Sequence, residues 1–125
     1  MIPIVQTGPN SRLPRLHFAQ TPAAILRLQN GSRIRGKLQV VSVTGGLLCL
    51  PSLLDLGSQA KLMFLTGAGT VLGTAEMLPP ISSTLQPFCF VGIDEDHEHR
   101  LRNVIQLGLD QKRREQASIL TDRAW

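Results

Sequence analysis

The sequence predicts an all-β domain: a six-stranded antiparallel barrel followed by one C-terminal helix. Short apolar runs alternate with polar residues and are cut by Gly, Pro and Asn turns at close intervals. The last such run, Phe88 to Ile93, is nearly all apolar, as a centrally placed strand is. The period then changes. An acidic start, Asp94-Glu95-Asp96, leads into Leu101, Val104, Ile105 and Leu109 at helical spacing. A barrel is favoured over an open sheet because closure removes unpaired edges.

Each element has its own signal. Residues 1–20 contain Pro3, Pro9 and Pro14 and no clear period, so they read as an extended lead-in. Ala23 to Gln29 is a strand with Ala24, Leu26 and Leu28 on one face and Arg27 and Gln29 on the other. Asn30-Gly31 is a hairpin signal. Arg33 to Val41 alternates, with Ile34, Gly36, Leu38 and Val40 facing in and Arg33, Arg35, Lys37 and Gln39 facing out. Thr44-Gly45-Gly46 breaks the pattern as a turn, and Leu47 to Leu50 resumes it until Pro51. Ala60 to Leu65 and Thr70 to Met77 are strands flanked by the turns at Leu56-Gly57-Ser58 and Gly67-Ala68-Gly69, and Ser82 to Gln86 is a polar loop. The carboxylates at Asp94 to Asp96 suit a helix N-terminus, and Lys112-Arg113-Arg114 suits its far end. The barrel and a short helix thus occupy residues 21–109, with the helix end and a frayed tail over 110–125.

The bulk numbers set the function classes. At 125 residues, 42% hydrophobic and 18% charged, the chain is one globular domain. No apolar run approaches the roughly 20 residues of a membrane span. The N-terminus lacks a basic region ahead of a long apolar stretch, which reads for a cytoplasmic protein. Cys49 and Cys89 lie in apolar strands and read as reduced, small hydrophobes. The net charge of +4 is unevenly spread: six basic and no acidic side chains precede Asp55, a field that favours an anionic partner.

Catalysis is not expected. There is no Gly-x-Ser-x-Gly elbow and no phosphate-binding loop of the Walker type. Neither cysteine has an adjacent base, and Asp55 and Glu76 form no acid–base pair. His97 and His99 stand among acids, but on a helix they point about 200° apart and share no metal. Nucleic acid is disfavoured, because Phe64, Phe88 and Phe90 fall in core patterns and leave no stacking platform. A small anionic ligand fits better. Arg12 and Arg15 can grip phosphate bidentately or bridge a guanine edge. Gly45 and Gly46 allow close backbone approach, and Ser42 and Thr44 add hydroxyls at the same corner.

Four segments together resemble the PilZ domain family over roughly Ser11 to Gln106. They are Arg12-Leu13-Pro14-Arg15, Val41-Ser42-Val43-Thr44-Gly45-Gly46-Leu47, the Leu56-Gly57 turn, and Phe90-Val91-Gly92-Ile93-Asp94 entering a helix. The resemblance implies a six-stranded antiparallel barrel with a C-terminal helix and a bacterial signalling role. It also implies cyclic diguanylate (c-di-GMP) as ligand, held by an Arg-x-x-x-Arg segment before the barrel and an Asp/Asn-x-Ser-x-x-Gly turn on it. Carried onto this chain, Arg12 and Arg15 clamp phosphate and guanine, and Ser42, Thr44, Gly45 and Gly46 form the floor. The chain departs from the pattern in two places. Its arginines are three apart. With Gly46 as the last glycine, Val41 and Val43 stand at the acid/amide and serine positions, whereas a one-residue gap puts Ser42 and Thr44 there. Two functions follow: a c-di-GMP receptor module, or a barrel that binds no nucleotide. The latter would serve as a protein-interaction adaptor through the Arg33/Arg35/Lys37 stripe or the C-terminal helix.

Overall fold

The structure is a computed structural model and describes residues 14–123. Among these residues the order is β1 (Leu16–His17), β2 (Ala23–Leu28), β3 (Arg33–Ser42), β4 (Gly45–Cys49), β5 (Gln59–Thr66), β6 (Gly69–Met77), β7 (Leu85–Gly92) and α1 (Glu95–Arg123). The sheet runs β1-β3-β2-β5-β6-β7-β4, and β4 pairs back onto β3. Six antiparallel strands therefore close a barrel, as the alternation predicts, and β1 is an extra strand laid on β3.

Alternation does the folding. In β5 every second residue is buried, Ala60, Leu62 and Phe64, while Lys61, Met63 and Leu65 stay outside. The interior is filled by Leu26, Leu38, Val41, Leu48, Leu62, Phe64, Val71, Met77 and Phe88, each nearly inaccessible to water. At about 1.5–3 kcal/mol per buried large apolar side chain, this interior supplies most of the drive to fold. The Asn30-Gly31 hairpin forms as expected, with the Asn30 Oδ1 accepting the Ser32 N–H at 2.9 Å.

Four features of the strands differ from the sequence reading. The lead-in contains β1: Leu16 pairs with Val41 and His17 with Val40. Gln39 is an extra residue between Leu38 and Val40 in the β3–β4 pairing, a bulge that inverts the alternation beyond it. Val41, not Val40, therefore enters the core. Gly45 and Gly46 belong to β4 rather than to the turn, which is Val43-Thr44. Finally, the strand after the polar loop begins at Leu85, so Gln86 lies inside the barrel wall with no exposed surface. Its Oε1 accepts the Leu54 N–H at 2.8 Å, and its Nε2 donates to the Leu54 and Leu78 carbonyls at 2.8 and 3.2 Å. The side-chain amide thus stands in for a missing stretch of ladder.

The helix is 29 residues long and not short, and it extends through the segment read as a tail. Its start is capped by the Asp94 Oδ1, which accepts the His97 N–H at 3.1 Å. Leu101 and Ile105 bury against the barrel, and α1 packs on β6, β1 and β3. Arg100 donates to the Thr70 carbonyl at 2.5 Å. Gly108 is where Leu16 seats: a Cβ there would lie 2.6 Å from a Leu16 methyl, so a larger residue would push the Leu16 side chain aside. Lys112 Nζ donates to the His17 carbonyl. The helix thereby clamps β1 onto the barrel.

Candidate functional site

The clamp matters because Arg15 immediately precedes β1. Leu16 points into the core with 4% of its surface exposed, so its neighbours Arg15 and His17 face outward. Pairing with Val40 and Val41 carries them beside the β3–β4 turn. Arg15, Ser42, Thr44, Gly45 and Gly46 consequently surround one hollow of about 500 Å³, with Val40 and Phe88 in its wall. Five of the six residues singled out from the sequence are thus neighbours. The sixth, Arg12, lies outside the described residues.

The roles within this corner are unequal. Ser42 is mostly buried, at 9% exposed. Its Oγ accepts the Thr44 N–H at 3.3 Å, donates to the Gly45 carbonyl at 3.3 Å and lies 3.1 Å from the Thr44 Oγ1. Ser42 therefore builds the turn. Thr44 is exposed and is the hydroxyl on offer. The glycines are there for strand contact. A Cβ on Gly45 would lie 2.1 Å from the Phe88 carbonyl oxygen, and one on Gly46 would lie 2.2 Å from the Val40 carbonyl oxygen. Both are backbone atoms of the neighbouring strands, β7 and β3.

Chemically the corner offers a guanidinium and an imidazole on its rim, a hydroxyl, and apolar wall from Val40, Leu47 and Phe88. That set suits a planar, anionic ligand. Among the described residues no three His, Cys, Asp or Glu side chains gather to hold a metal ion. Cys49 and Cys89 are free and half-buried. No helix among the described residues is long and apolar enough to cross a membrane.

Solved structures share this architecture. The c-di-GMP-bound PilZ domain of YcgR from Escherichia coli matches with a TM-score of 0.69 at 18% identity, covering 87% of this chain and 98% of that domain. The fold is that of a PilZ domain. YcgR in complex with c-di-GMP matches with a TM-score of 0.70 at 22% identity, and the chain spans 50% of that protein. The c-di-GMP complex of MrkH from K. pneumonia matches with a TM-score of 0.66 at 21% identity, over 89% of this chain and 57% of MrkH. No family model and no curated protein matches the sequence.

Within this fold the two ways of counting the turn put differently placed residues at its acid/amide position. The alignment ending on Gly46 puts Val41 at the acid/amide position, yet Val41 is wholly buried in the barrel. Ending the count on Gly45 places Ser42 on the serine and Val40 on the acid/amide, with Val40 lining the hollow. The signal was in the sequence, as the spacing Ser42-x-x-Gly45. His17 at the rim was missed; its only sequence signal is its place two residues after Arg15.

Proposed function

We propose that this chain is a PilZ-type regulatory module that takes c-di-GMP at the Arg15–Thr44 corner. The observation that supports this most is the delivery of Arg15, through the Leu16 anchor, to the hollow that also holds the Ser42–Gly45 turn. With its backbone tethered next to β1, which the helix clamps, Arg15 loses less backbone freedom on binding, which favours affinity. The acid-free first 54 residues add a field that draws in the dianion. The module acts as a receptor and not as a catalyst, and passes its signal to a partner protein in the cytoplasm. Arg12 joins Arg15 on the phosphates.

Val40 supports a second reading. An apolar side chain at the acid/amide position removes a hydrogen bond to guanine, which costs about 1–3 kcal/mol, and a barrel that has lost nucleotide binding serves as an adaptor. Calorimetric titration with c-di-GMP separates the two. The receptor reading expects saturable heat, and at about 100 µM ligand a raised melting temperature, both lost in Arg15→Ala. Absence of heat and of thermal shift leaves the adaptor.

A further inference from the structure

A second surface lies across the barrel, on the outer face of β2, β5 and β6 with the start of β3. Strand register places Arg33 directly opposite Arg27, and Arg27 directly opposite Lys61. Three exposed cations thus form one row across three adjacent strands, continued by Thr74, whose Oγ1 accepts from Lys61 Nζ at 3.0 Å. Like charges directly opposite on a sheet, with Cβ atoms about 5 Å apart, destabilise it. No ion pair among the described residues relieves them: both salt bridges found lie within α1, Arg102–Glu98 and Arg113–Asp110. The nearest strand acid, Glu76, accepts from Gln59, and Asp94 at the end of the groove is used as the helix cap. The row itself carries one sign, with the carboxylates of Glu76 and Asp94 only at its margins.

The next row on the same face is apolar apart from its end at Arg35. Register aligns Arg35, Ile25, Met63 and Leu72. Met63 and Leu72 are 39% and 41% exposed, large for Met63, which has a paired strand on both sides, while Leu72 lies beyond the end of the β6–β7 pairing. They line a hollow of about 650 Å³, and the cation row separates it from a second hollow of about 600 Å³ beside the β2–β3 hairpin. One stripe of positive charge therefore runs parallel to one stripe of apolar surface, both perpendicular to the strands.

We infer that this face docks an acidic amphipathic helix of a partner protein, lying across the strands. The spacing fits. Neighbouring strands are about 4.8 Å apart, and a helix advances about 5.4 Å per turn. One helical turn thus meets one strand. Carboxylates at i, i+4 and i+7 reach Arg33, Arg27 and Lys61 in turn, while the adjacent apolar stripe enters the hollow over Ile25, Met63 and Leu72. Met63 adapts to the incoming side chains. A polynucleotide would satisfy the cations but leave the apolar row uncovered, and the face has no aromatic ring for a base. A flat bilayer would not fill a recessed hollow. The inference is independent of the c-di-GMP corner, which lies on β1, β3, β4 and β7.

The test is fluorescence anisotropy of the full chain with a labelled helical peptide of roughly 18 residues, carrying adjacent Glu and Leu stripes. The expected result is saturable binding that weakens as salt rises and falls at least about tenfold in Arg27→Glu and in Met63→Asp. Arg102→Glu, on the exposed side of α1, leaves it unchanged. Arg27→Gln, which keeps length and removes one of the opposed charges, weakens binding while the melting temperature stays level or rises, so lost binding is separated from lost folding. Binding untouched by Arg27→Glu and Lys61→Glu, or none up to about 1 mM peptide, overturns the inference. So does tighter binding, sensitive to the same variants, to phosphatidylglycerol vesicles or to a single-stranded oligonucleotide.

Discussion

Replacing Gly45 with alanine tests whether the corner is built by strand contact. The added Cβ would sit 2.1 Å from the Phe88 carbonyl oxygen and 2.9 Å from the Cys89 Cα. Both are backbone atoms, so no rotamer change relieves the clash. Separating them to van der Waals distance moves β7 off β4 by roughly 1 Å, against a ladder spacing of about 4.8 Å. Hydrogen bonds near 2.9 Å do not survive such a stretch. The Phe90 N–H to Thr44 carbonyl bond, 2.8 Å long, lies one residue from the Gly45–Cys89 pair. Leaving it unpaired in a partly buried wall costs about 1–3 kcal/mol. Gly45→Ala is therefore expected to lose at least about 1–3 kcal/mol in urea denaturation followed by far-ultraviolet circular dichroism. Gly67→Ala is the control: a Cβ there meets nothing within 4 Å, and Gly67 is not among the glycines with positive φ. That variant should fall within about 0.5 kcal/mol of the parent or gain slightly. A Gly45→Ala protein as stable as the Gly67→Ala protein would refute the strand-contact reasoning.

Three further outcomes are expected. Val40→Asn, which restores an amide at the wall of the hollow, should tighten c-di-GMP by about 1–3 kcal/mol, or roughly 5- to 150-fold, by calorimetry; an unchanged constant in a binding-competent protein would place the guanine edge elsewhere. Leu16→Ala removes the β1 anchor and should cost about 2–5 kcal/mol in denaturant, with ligand affinity falling as Arg15 is released; full affinity would show that the anchor does not position the arginine. Gln86→Leu matches the volume of the buried side chain but leaves the Leu54 N–H and two carbonyls without their partner. A loss of about 2–4 kcal/mol in the same assay is expected, and a neutral result would mean that other groups satisfy them.

Much of the barrel was legible because alternation and turn chemistry act locally. The Asn30-Gly31 hairpin and the strand over Ala60 to Leu65 needed no knowledge of distant residues. What escaped depended on partners far along the chain. Leu16-His17 is too short for any period, and its seat is Gly108 on the helix. The Gln39 bulge is one unpaired residue, visible only against β4, and it moved Val41 rather than Val40 into the core. Gln86 reads as loop because its polar group is satisfied by Leu54 and Leu78. Beyond Leu109 the apolar spacing stops, yet the helix continues on good helix formers and on pairs such as Gln111–Glu115, 3.4 Å apart. At the corner, five of the six residues singled out from the sequence lie together, and the Arg15 setting was not visible, since only the fold brings it to Thr44.

The same two residues, Leu16 and His17, answer to the helix on one side and hold Arg15 on the other. Docking of the helix and placement of the arginine are thus one thermodynamic event. By linkage, any ligand that favours the seated arginine strengthens the grip of the helix on the barrel by an equal free energy, and any force that lifts the helix weakens the ligand by the same amount.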